Sequence, residues 1–364
     1  MSNKIKVGVL FGGRSVEHEV SLQSAKNIIS TINKDKYEVV PIGIDKDGRW
    51  YLQDQTNFLL HADNPKLITL SKSSKEVVIS QGDKANLIDL SNGDSLGFID
   101  VVFPVIHGPF GEDGTIQGLL KLANIPFIGA SVLGSSVAMD KDVMKRLLRD
   151  ANISIGKFLT YRFASKENID YHIVTKELGL PLFVKPANLG SSVGISKVSQ
   201  KSEFETAIME AFQFDNKIIV EEFIEGREIE CSVLGNENPI ASIPGEIIPQ
   251  RDFYSYNAKY IDESGALLEL PAKLEENQIQ QIQQISINTY KTLSCEGMAR
   301  VDIFLQENGK MIVNEINTIP GFTDISMYPK LWKLSGISQT ELIDRLIQLA
   351  MDRFEKESKL KTSY

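Results

Sequence analysis

The chain is poor in the residues that most often carry metal or thiol chemistry. It has 364 residues but only two cysteines and four histidines. Cys231 and Cys295 are far apart and form no C-x-x-C pair, which leaves one disulfide or, as suits a reducing compartment, two buried thiols. His18, His61, His107 and His172 show no H-x-x-x-H or triad-like spacing, so neither zinc nor a thiol nucleophile has support. No uninterrupted apolar run approaches the roughly 18 residues of a membrane span. The opening stretch "MSNKIKVGVLFGGRS" stops at a glycine pair, too soon for a secretory leader, and the expected location is the cytoplasm. G-x-G-x-x-G and G-x-x-x-x-G-K-[ST] are both missing, which disfavours a dinucleotide dehydrogenase and a P-loop enzyme. A formal net charge of -9 argues against nucleic acid as the main partner, while leaving room for a local basic pocket.

What is present reads as a soluble globular chain, 42% hydrophobic and 24% charged, long enough for two or three domains of roughly 100–200 residues each. In the first third, β-branched runs at 5–12, 37–45 and 99–108 alternate with helical patterns at 15–34 and 114–124, and a short strand follows at 125–129. That alternation predicts a parallel α/β layer. Residues 46–98 are polar and weakly patterned, as loops with small hairpins would be. A helix is expected at 139–152, then a small α+β unit with strands at 180–187, 192–199 and 217–224 around a helix at 201–214. The last segment predicts strands at 227–235, 239–248, 296–306 and 310–316, with helices at 275–294 and 338–358.

Four stretches invite a chemical reading, and each has a plainer one. "VKPANLGSSVG" (184–194) places a lysine before a Gly-Ser-Ser-x-Gly turn whose N–H groups and hydroxyls suit phosphate oxygens; a hairpin with a flexible tip fits equally well. "ARVDIFLQENGKMIVNEIN" (299–317) reads as a hairpin turning at Asn308-Gly309. Period two puts Arg300 with Asp302, and Glu315 with Asn317. If those faces coincide, two carboxylates and an amide meet beside an arginine, an oxygen set that suits Mg²⁺; the alternative is a solvated polar face. "FGGRSVEHEVS" (11–21) offers a glycine pair at a helix start as an anion site, although Glu17 there also pairs well with the helix dipole. "FYSYNAKY" (253–260) is either a loop that folds over a site or an aromatic loop packed on the core.

The order of the motifs is more informative than any one of them. The glycine pair with Ser-x-Glu-His-Glu-Val-Ser is followed by "HGPFGEDGTIQG", "AMDKDVMK", "VKPANLGSSVG", "VEEFIEGREIEC", "YNAKY", "ARVDIF" and "NEINTIPGFT". Together they resemble the D-alanine–D-alanine ligase family of the ATP-grasp superfamily, from about residue 5 to about residue 350. The resemblance implies a three-lobed α/β architecture: an N-terminal parallel α/β domain (1–130), a central ATP-grasp lobe (131–224) and a C-terminal lobe with the metal site (225–364).

By the same resemblance, Lys141 and Lys185 hold phosphates and the stretch Glu221 to Ile224, Phe223 included, meets adenine. Glu228 reaches the ribose, and Asp302, Glu315 and Asn317 carry two Mg²⁺ ions, with Mn²⁺ as a substitute. Glu17 anchors the first substrate's ammonium and forms a hydrogen-bonded chain with Ser191 and Tyr260. His107 approaches the first substrate, Arg300 stabilises the oxyanion, and Ser326 and Met327 bind the second substrate's carboxylate. The implied reaction joins two D-alanine molecules at the cost of ATP, through an acyl phosphate, for peptidoglycan precursor synthesis. A homodimer is implied, and mobile loops at 188–194 and around 249–262 would form a lid. Tyr260 points to the dipeptide-forming members, since relatives that use D-lactate lack it. Two positions depart from the pattern: Glu222 stands where many relatives carry lysine, and Phe110 where a small or polar residue is expected. The rival readings are a ligase with another acceptor, such as D-serine or D-lactate, and a nucleotide-binding regulator without turnover.

Overall fold

Residues 4–73, 75–82, 86–249 and 266–361 are described by the computed structural model. Near the N-terminus, the buried runs pair as a parallel sheet with one antiparallel edge. Its strands are β1 (Ile5–Gly12), β2 (Tyr37–Ile44), β3 (Trp50–Leu52) and β4 (Val101–Val105), in the order β3-β2-β1-β4. Helix α1 (His18–Thr31) follows β1, and its buried residues Val20, Leu22, Ala25, Ile28 and Ile29 recur at helical spacing against the sheet. It begins three residues later than the sequence predicts. Ser15 holds residues 15–18 in a turn, accepting from His18 N at 3.2 Å through its carbonyl and from Glu17 N at 3.1 Å through its hydroxyl. The expected small hairpins are present, pairing 59–60 with 69–70 and 77–79, 86–89 and 95–98 in turn.

The expected strand at 125–129 is reduced to a single bridge between Val102 and Phe127. Arg353, from the far end of the chain, takes the carbonyls of Phe127 and Gly129 at 2.7 and 2.6 Å and lies over the Phe127 ring. Helix α2 (Thr115–Leu122) precedes this segment. The helix expected at 139–152 is two: α3 (Val132–Met139) and α4 (Lys141–Asp150). Asp140 breaks them apart with an extended ψ of 100°, and its carboxylate caps α4 by accepting from Asp142 N and Val143 N. Lys141 is therefore the first residue of a helix, with its backbone N–H given to Ala187 O at 3.0 Å.

The middle of the chain is a four-stranded antiparallel sheet of β5 (Phe158–Arg162), β6 (Leu182–Pro186), β7 (Ser196–Val198) and β8 (Lys217–Glu222), in the order β5-β8-β6-β7. Helices α5 (Tyr171–Leu178) and α6 (Lys201–Ala211) close its core, where Val174, Phe204 and Ile208 meet Val184 and Val220. The second antiparallel sheet contains β9 (Arg227–Gly235), β10 (Gly245–Pro249), β11 (Ala266–Glu269), β12 (Gly297–Leu305) and β13 (Met311–Asn317), in the order β11-β10-β9-β12-β13. Helix α7 (Glu276–Thr292) packs on it. Two antiparallel sheets beside a parallel α/β layer are the architecture the sequence reading expects.

Helices α8 (Met327–Leu334) and α9 (Gln339–Ser358) end the chain. Their apolar faces span two sheets: Met327 and Leu331 pack on Ile247 of the last one. Trp332, Leu342, Leu346 and Ile347 share one buried cluster with Val7, Val9 and Phe103 of the first sheet. Cys231 and Cys295 are buried free thiols, and burial raises both, Cys231 to about 11. Among the described residues no helix is long and apolar enough to cross a membrane.

Candidate active site

The hairpin of β12 and β13 brings its polar residues together. Arg300 pairs with Asn317 and Asp302 with Glu315 in antiparallel register, and an irregularity follows immediately, between Asp302 and Ile303. On the other side of β12, Glu230 of β9 lies opposite Asp302. Like charges placed opposite one another repel, so these carboxylates need cations. Arg300 gives a fork to Asp302, Nε at 2.7 Å and a terminal nitrogen at 2.8 Å, and its Nε is also 3.0 Å from Glu230. Asn317 donates its amide N–H to Asp302 at 3.0 Å, which leaves the amide oxygen as the donor a cation would take. Lys141 Nζ stands 3.4 Å from Glu315.

Among the described residues, no three of His, Cys, Asp and Glu stand together to hold a metal. The candidate set here is two carboxylates and an amide. These hard oxygens on one strand pair fit Mg²⁺ that shares its shell with substrate phosphates.

Lys141 ties this hairpin to the glycine-serine turn, donating from Nζ to Leu189 O at 2.8 Å. The turn itself is not a plain hairpin tip. Ser191 and Ser192 have φ of 54° and 59°, a left-handed conformation that L residues rarely adopt. Gly194 has φ of 67°, and a side chain there would meet Phe214 at 2.6 Å. Ser191 donates to the Glu17 carboxylate across the lobe boundary. The base of the turn is anchored by Asp215, one of whose oxygens accepts from both the backbone and the side-chain nitrogen of Asn188 at 2.8 Å. Next to it, the buried Lys217 pairs with Asp140, the cap of α4. The two lysine-bearing segments thus share one frame.

Lys185 lies on β6 against Glu221 of β8, at 2.6 Å, and Lys145 of α4 reaches the other oxygen of Glu221 at 2.7 Å. Burial alone would raise the Glu221 carboxyl, but the two ammonium groups outweigh it and hold it at about 2. Burial alone would likewise lower Lys185, and the charge of Glu221 raises it instead. The resemblance places Glu221 in the stretch that meets adenine, and here its side chain is a buried counter-ion to two lysines. Phe223, by contrast, is exposed and has Lys197 over its ring. Ile224 and Glu228 flank the start of β9, half-buried. Glu222 accepts from the backbone N–H of Lys157 at 2.8 Å.

A cavity of about 490 Å³ opens beside these groups, lined among others by Glu17, Glu112, Arg300, Asn317 and Ser326. Glu17 is buried. Ser326 caps the start of α8 in an extended conformation, and its hydroxyl accepts from Thr323 N at 3.0 Å. Met327 is buried below it. His107 also lines the cavity, with Nε2 3.1 Å from Ser24 Oγ and Nδ1 2.9 Å from Ile319 O. Burial, helped by the charge of Arg300, pushes it down to about 4. Phe110 takes a left-handed φ of 67° on the surface, beneath the guanidinium of Arg14.

One sequence expectation is overturned. The glycine pair cannot receive an anion through its N–H groups, because Gly12 N donates to Ser21 Oγ at 2.7 Å and Gly13 N to Ile44 O at 2.9 Å. A second, Tyr260 with the loop around 249–262, lies outside the described residues but for the end of β10. Three residues escape the sequence reading although all three stand inside quoted motifs: Lys145 in "AMDKDVMK", Glu112 in "HGPFGEDGTIQG", and Glu230 in "VEEFIEGREIEC". Lys145 lies one helical turn after Lys141, and that spacing is the signal that marks it.

Glu112 is 12% exposed and accepts from Gly108 N at 3.0 Å. Burial, joined by the charge of Glu17, raises it from 4.5 to about 8. A carboxyl whose value is raised on folding keeps its proton longer in the folded chain than in the unfolded one. Its contribution to stability is therefore lost as pH climbs from about 4.5 to about 8. Glu112→Gln, which cannot ionise, is expected to melt like the wild type at pH 5 and several degrees above it at pH 8.5. Parallel melting curves at both pH values would show no Glu112 effect if the carboxyl ionises normally.

Comparison with known proteins gives the family and the fold. The family model described as the D-ala D-ala ligase N-terminus matches residues 6–130, and that of the D-ala D-ala ligase C-terminus matches 147–348. The chain is 55% identical to the D-alanine--D-alanine ligase of Oceanobacillus iheyensis, covering 99% of each chain. It is 53% identical to D-alanine--D-alanine ligase A of Escherichia coli, again over 99% of each. Among solved structures, the D-alanine-D-alanine ligase of Coxiella burnetii superposes with a TM-score of 0.85 at 42% identity, covering 98% of this chain and 97% of that one. The VanG D-Ala:D-Ser ligase of Enterococcus faecalis gives 0.84 at 38% identity, covering 96% and 100%. The chain belongs to the D-alanine–D-alanine ligase family.

Proposed function

We propose that the chain is an ATP-dependent ligase that joins two D-alanine molecules into D-alanyl-D-alanine for peptidoglycan precursor synthesis. The observation that carries this reading is the convergence of Arg300, Asp302, Glu315 and Asn317 on one face, with Lys141 reaching from α4 to Glu315. Full-length similarity to ligases of that name supports it.

In the first step a carboxylate oxygen of one D-alanine attacks the γ-phosphorus of ATP, and the bond to ADP breaks. In the second, the amine of another D-alanine attacks the acyl carbon. The carbon–oxygen bond to phosphate breaks, and the amine gives up a proton. Carboxylate and triphosphate repel, so the site must supply positive charge before they meet. Lys141 and Lys185 supply it at the phosphates. Asp302, Glu315 and Asn317 would hold Mg²⁺, with Mn²⁺ as a substitute; the metal's chemistry is to neutralise phosphate charge and polarise the γ-phosphoryl group. Arg300 is already oriented by Glu230 and Asp302, and stands ready for the oxyanion that develops at the acyl carbon. Glu17 receives the first substrate's ammonium, and its bond to Ser191 draws the phosphate turn over the site, helping to exclude water from a hydrolysable acyl phosphate. Tyr260 would extend that chain. Ser326 and Met327 shape the acceptor end.

The adenine pocket is assigned to the segment from Glu221 to Ile224, with Glu228 at the ribose. The three lobes are taken as 1–130, 131–224 and 225–364. A cytoplasmic location and a homodimer follow from the family alone.

Incubation with Mg-ATP and D-alanine is expected to release phosphate and dipeptide in equal amounts. ATP hydrolysis that ignores D-alanine would end this reading. D-serine and D-lactate, offered in competition over a range of pH, are expected to be poorer acceptors; preference for either would move the chain to that branch, which the likeness to the VanG ligase makes worth measuring. Glu315→Gln is expected to lower kcat by ~100-fold or more while leaving the melting temperature within a few degrees. Retained turnover would sink the metal assignment. Asp215→Ala removes the acceptor of both Asn188 donors and is expected to raise KM for ATP roughly tenfold with little change in KM for D-alanine; equal rises in both would count against a phosphate-turn anchor.

A further inference from the structure

The wall of the cavity at Pro320-Gly321 is held at both ends by groups from the first lobe, and a single buried hydroxyl joins them. Ile319 O is 2.9 Å from His107 Nδ1, and Phe322 N donates to Ser24 Oγ at 3.1 Å. Ser24 Oγ is in turn 3.1 Å from His107 Nε2. Asn27, one helical turn further along α1, donates its side-chain nitrogen to Phe322 O at 2.6 Å. Ser24 and Phe322 have no exposure at all, and His107 has 3%. The bonds among Ser24, His107 and Phe322 are therefore shielded from solvent.

The proton positions in this chain follow from the acceptors. A carbonyl oxygen only accepts, so the contact to Ile319 O requires a proton on Nδ1. In the neutral ring Nε2 is then a lone pair. Phe322 N–H must give its proton to Ser24 Oγ, and the one hydroxyl proton of Ser24 is left for Nε2. The donors run one way: Phe322 N–H to Ser24, Ser24 O–H to His107, His107 N–H to Ile319 O. The other tautomer would set a nitrogen lone pair against a carbonyl lone pair, and would leave the Ser24 hydroxyl proton without this acceptor. Both ring nitrogens of His107 are consequently used inside the protein, although the ring borders the cavity.

We infer that Ser24 is a positioning residue for the acceptor half of the site: it locks His107 as the neutral Nδ1–H tautomer and, through it, pins the 319–322 wall that leads to Ser326. The clause about the acceptor rests on the ligase reading above; the clause about the proton does not. A rigid wall favours one placement of the second amino acid, because a site that must be ordered on binding loses affinity.

The full-length protein, labelled with ¹⁵N-histidine, separates the two. At pH 7 the His107 resonances, assigned by their loss in His107→Asn, are expected to show the proton on Nδ1 with Nε2 unprotonated. A proton on Nε2 in the wild type overturns the inference whatever the enzyme does. In Ser24→Ala the Nε2 resonance is expected to shift while the far-ultraviolet spectrum and melting cooperativity persist. KM for the acceptor D-alanine is expected to rise roughly fivefold, as the loss of one or two buried hydrogen bonds would give, with KM for ATP within about twofold. Ser24→Thr, which keeps the hydroxyl, is expected to restore the wild-type Nε2 resonance and most of the acceptor affinity. Unchanged acceptor KM in Ser24→Ala, or equal loss for both substrates, would overturn the acceptor role. Wild-type protein that turns over no D-alanine would defeat the ligase reading instead, and the proton assignment would still stand or fall by its resonances.

Discussion

Much of the molecule is organised around the placement of like charges on neighbouring strands. Glu230, Asp302 and Glu315 occupy adjacent positions across three strands of one sheet, an arrangement that costs stability unless cations stand among them. Arg300 is locked between two of them and Lys141 leans on the third. A polyanion bound together with divalent cations is the ligand proposed for such a site. The electrostatic stress concentrated in the hairpin is the property on which its proposed role in phosphoryl and acyl transfer rests.

Holding those charges in place requires rigid supports, and these come from different parts of the chain. The C-terminal helix α9 follows the second antiparallel sheet in sequence, yet its apolar face packs with the first parallel sheet, and Arg353 fastens it to the carbonyls of Phe127 and Gly129. The first lobe and the end of the chain consequently share a core. The central sheet has its own core and meets the rest partly through polar contacts: the ion pair of Lys217 with Asp140, and the hydrogen bond of Ser191 to Glu17.

Much of this was legible from the residues. Alternating β-branched runs marked every long strand, since a sheet buried on one or both faces must alternate or saturate with apolar side chains. Period two placed Arg300 with Asp302 and Glu315 with Asn317, and the Asn308-Gly309 turn set the hairpin that joins them. The misses have physical causes. Asp140 interrupts a helical pattern because its carboxylate caps the next helix, a local choice that periodicity does not register. Residues 125–129 have strand composition, but their carbonyls are claimed by an arginine more than two hundred positions away. The glycine pair looks like an anion cradle until Ser21 and Ile44 are seen to take its N–H groups.

The sequence by itself determined most of the long elements, the pairing of polar residues within each strand and the family, because these depend on short-range periodicity and on motifs in fixed order. Which strand faces which was decided only in the tertiary structure. That Lys145 and Lys185 both close on Glu221, that Glu112 is crowded by Glu17, and that Ser24 reaches Phe322 all depend on groups distant in the chain meeting where water is excluded. Desolvation and charge at short range are properties of that assembled space, and no linear spacing encodes them.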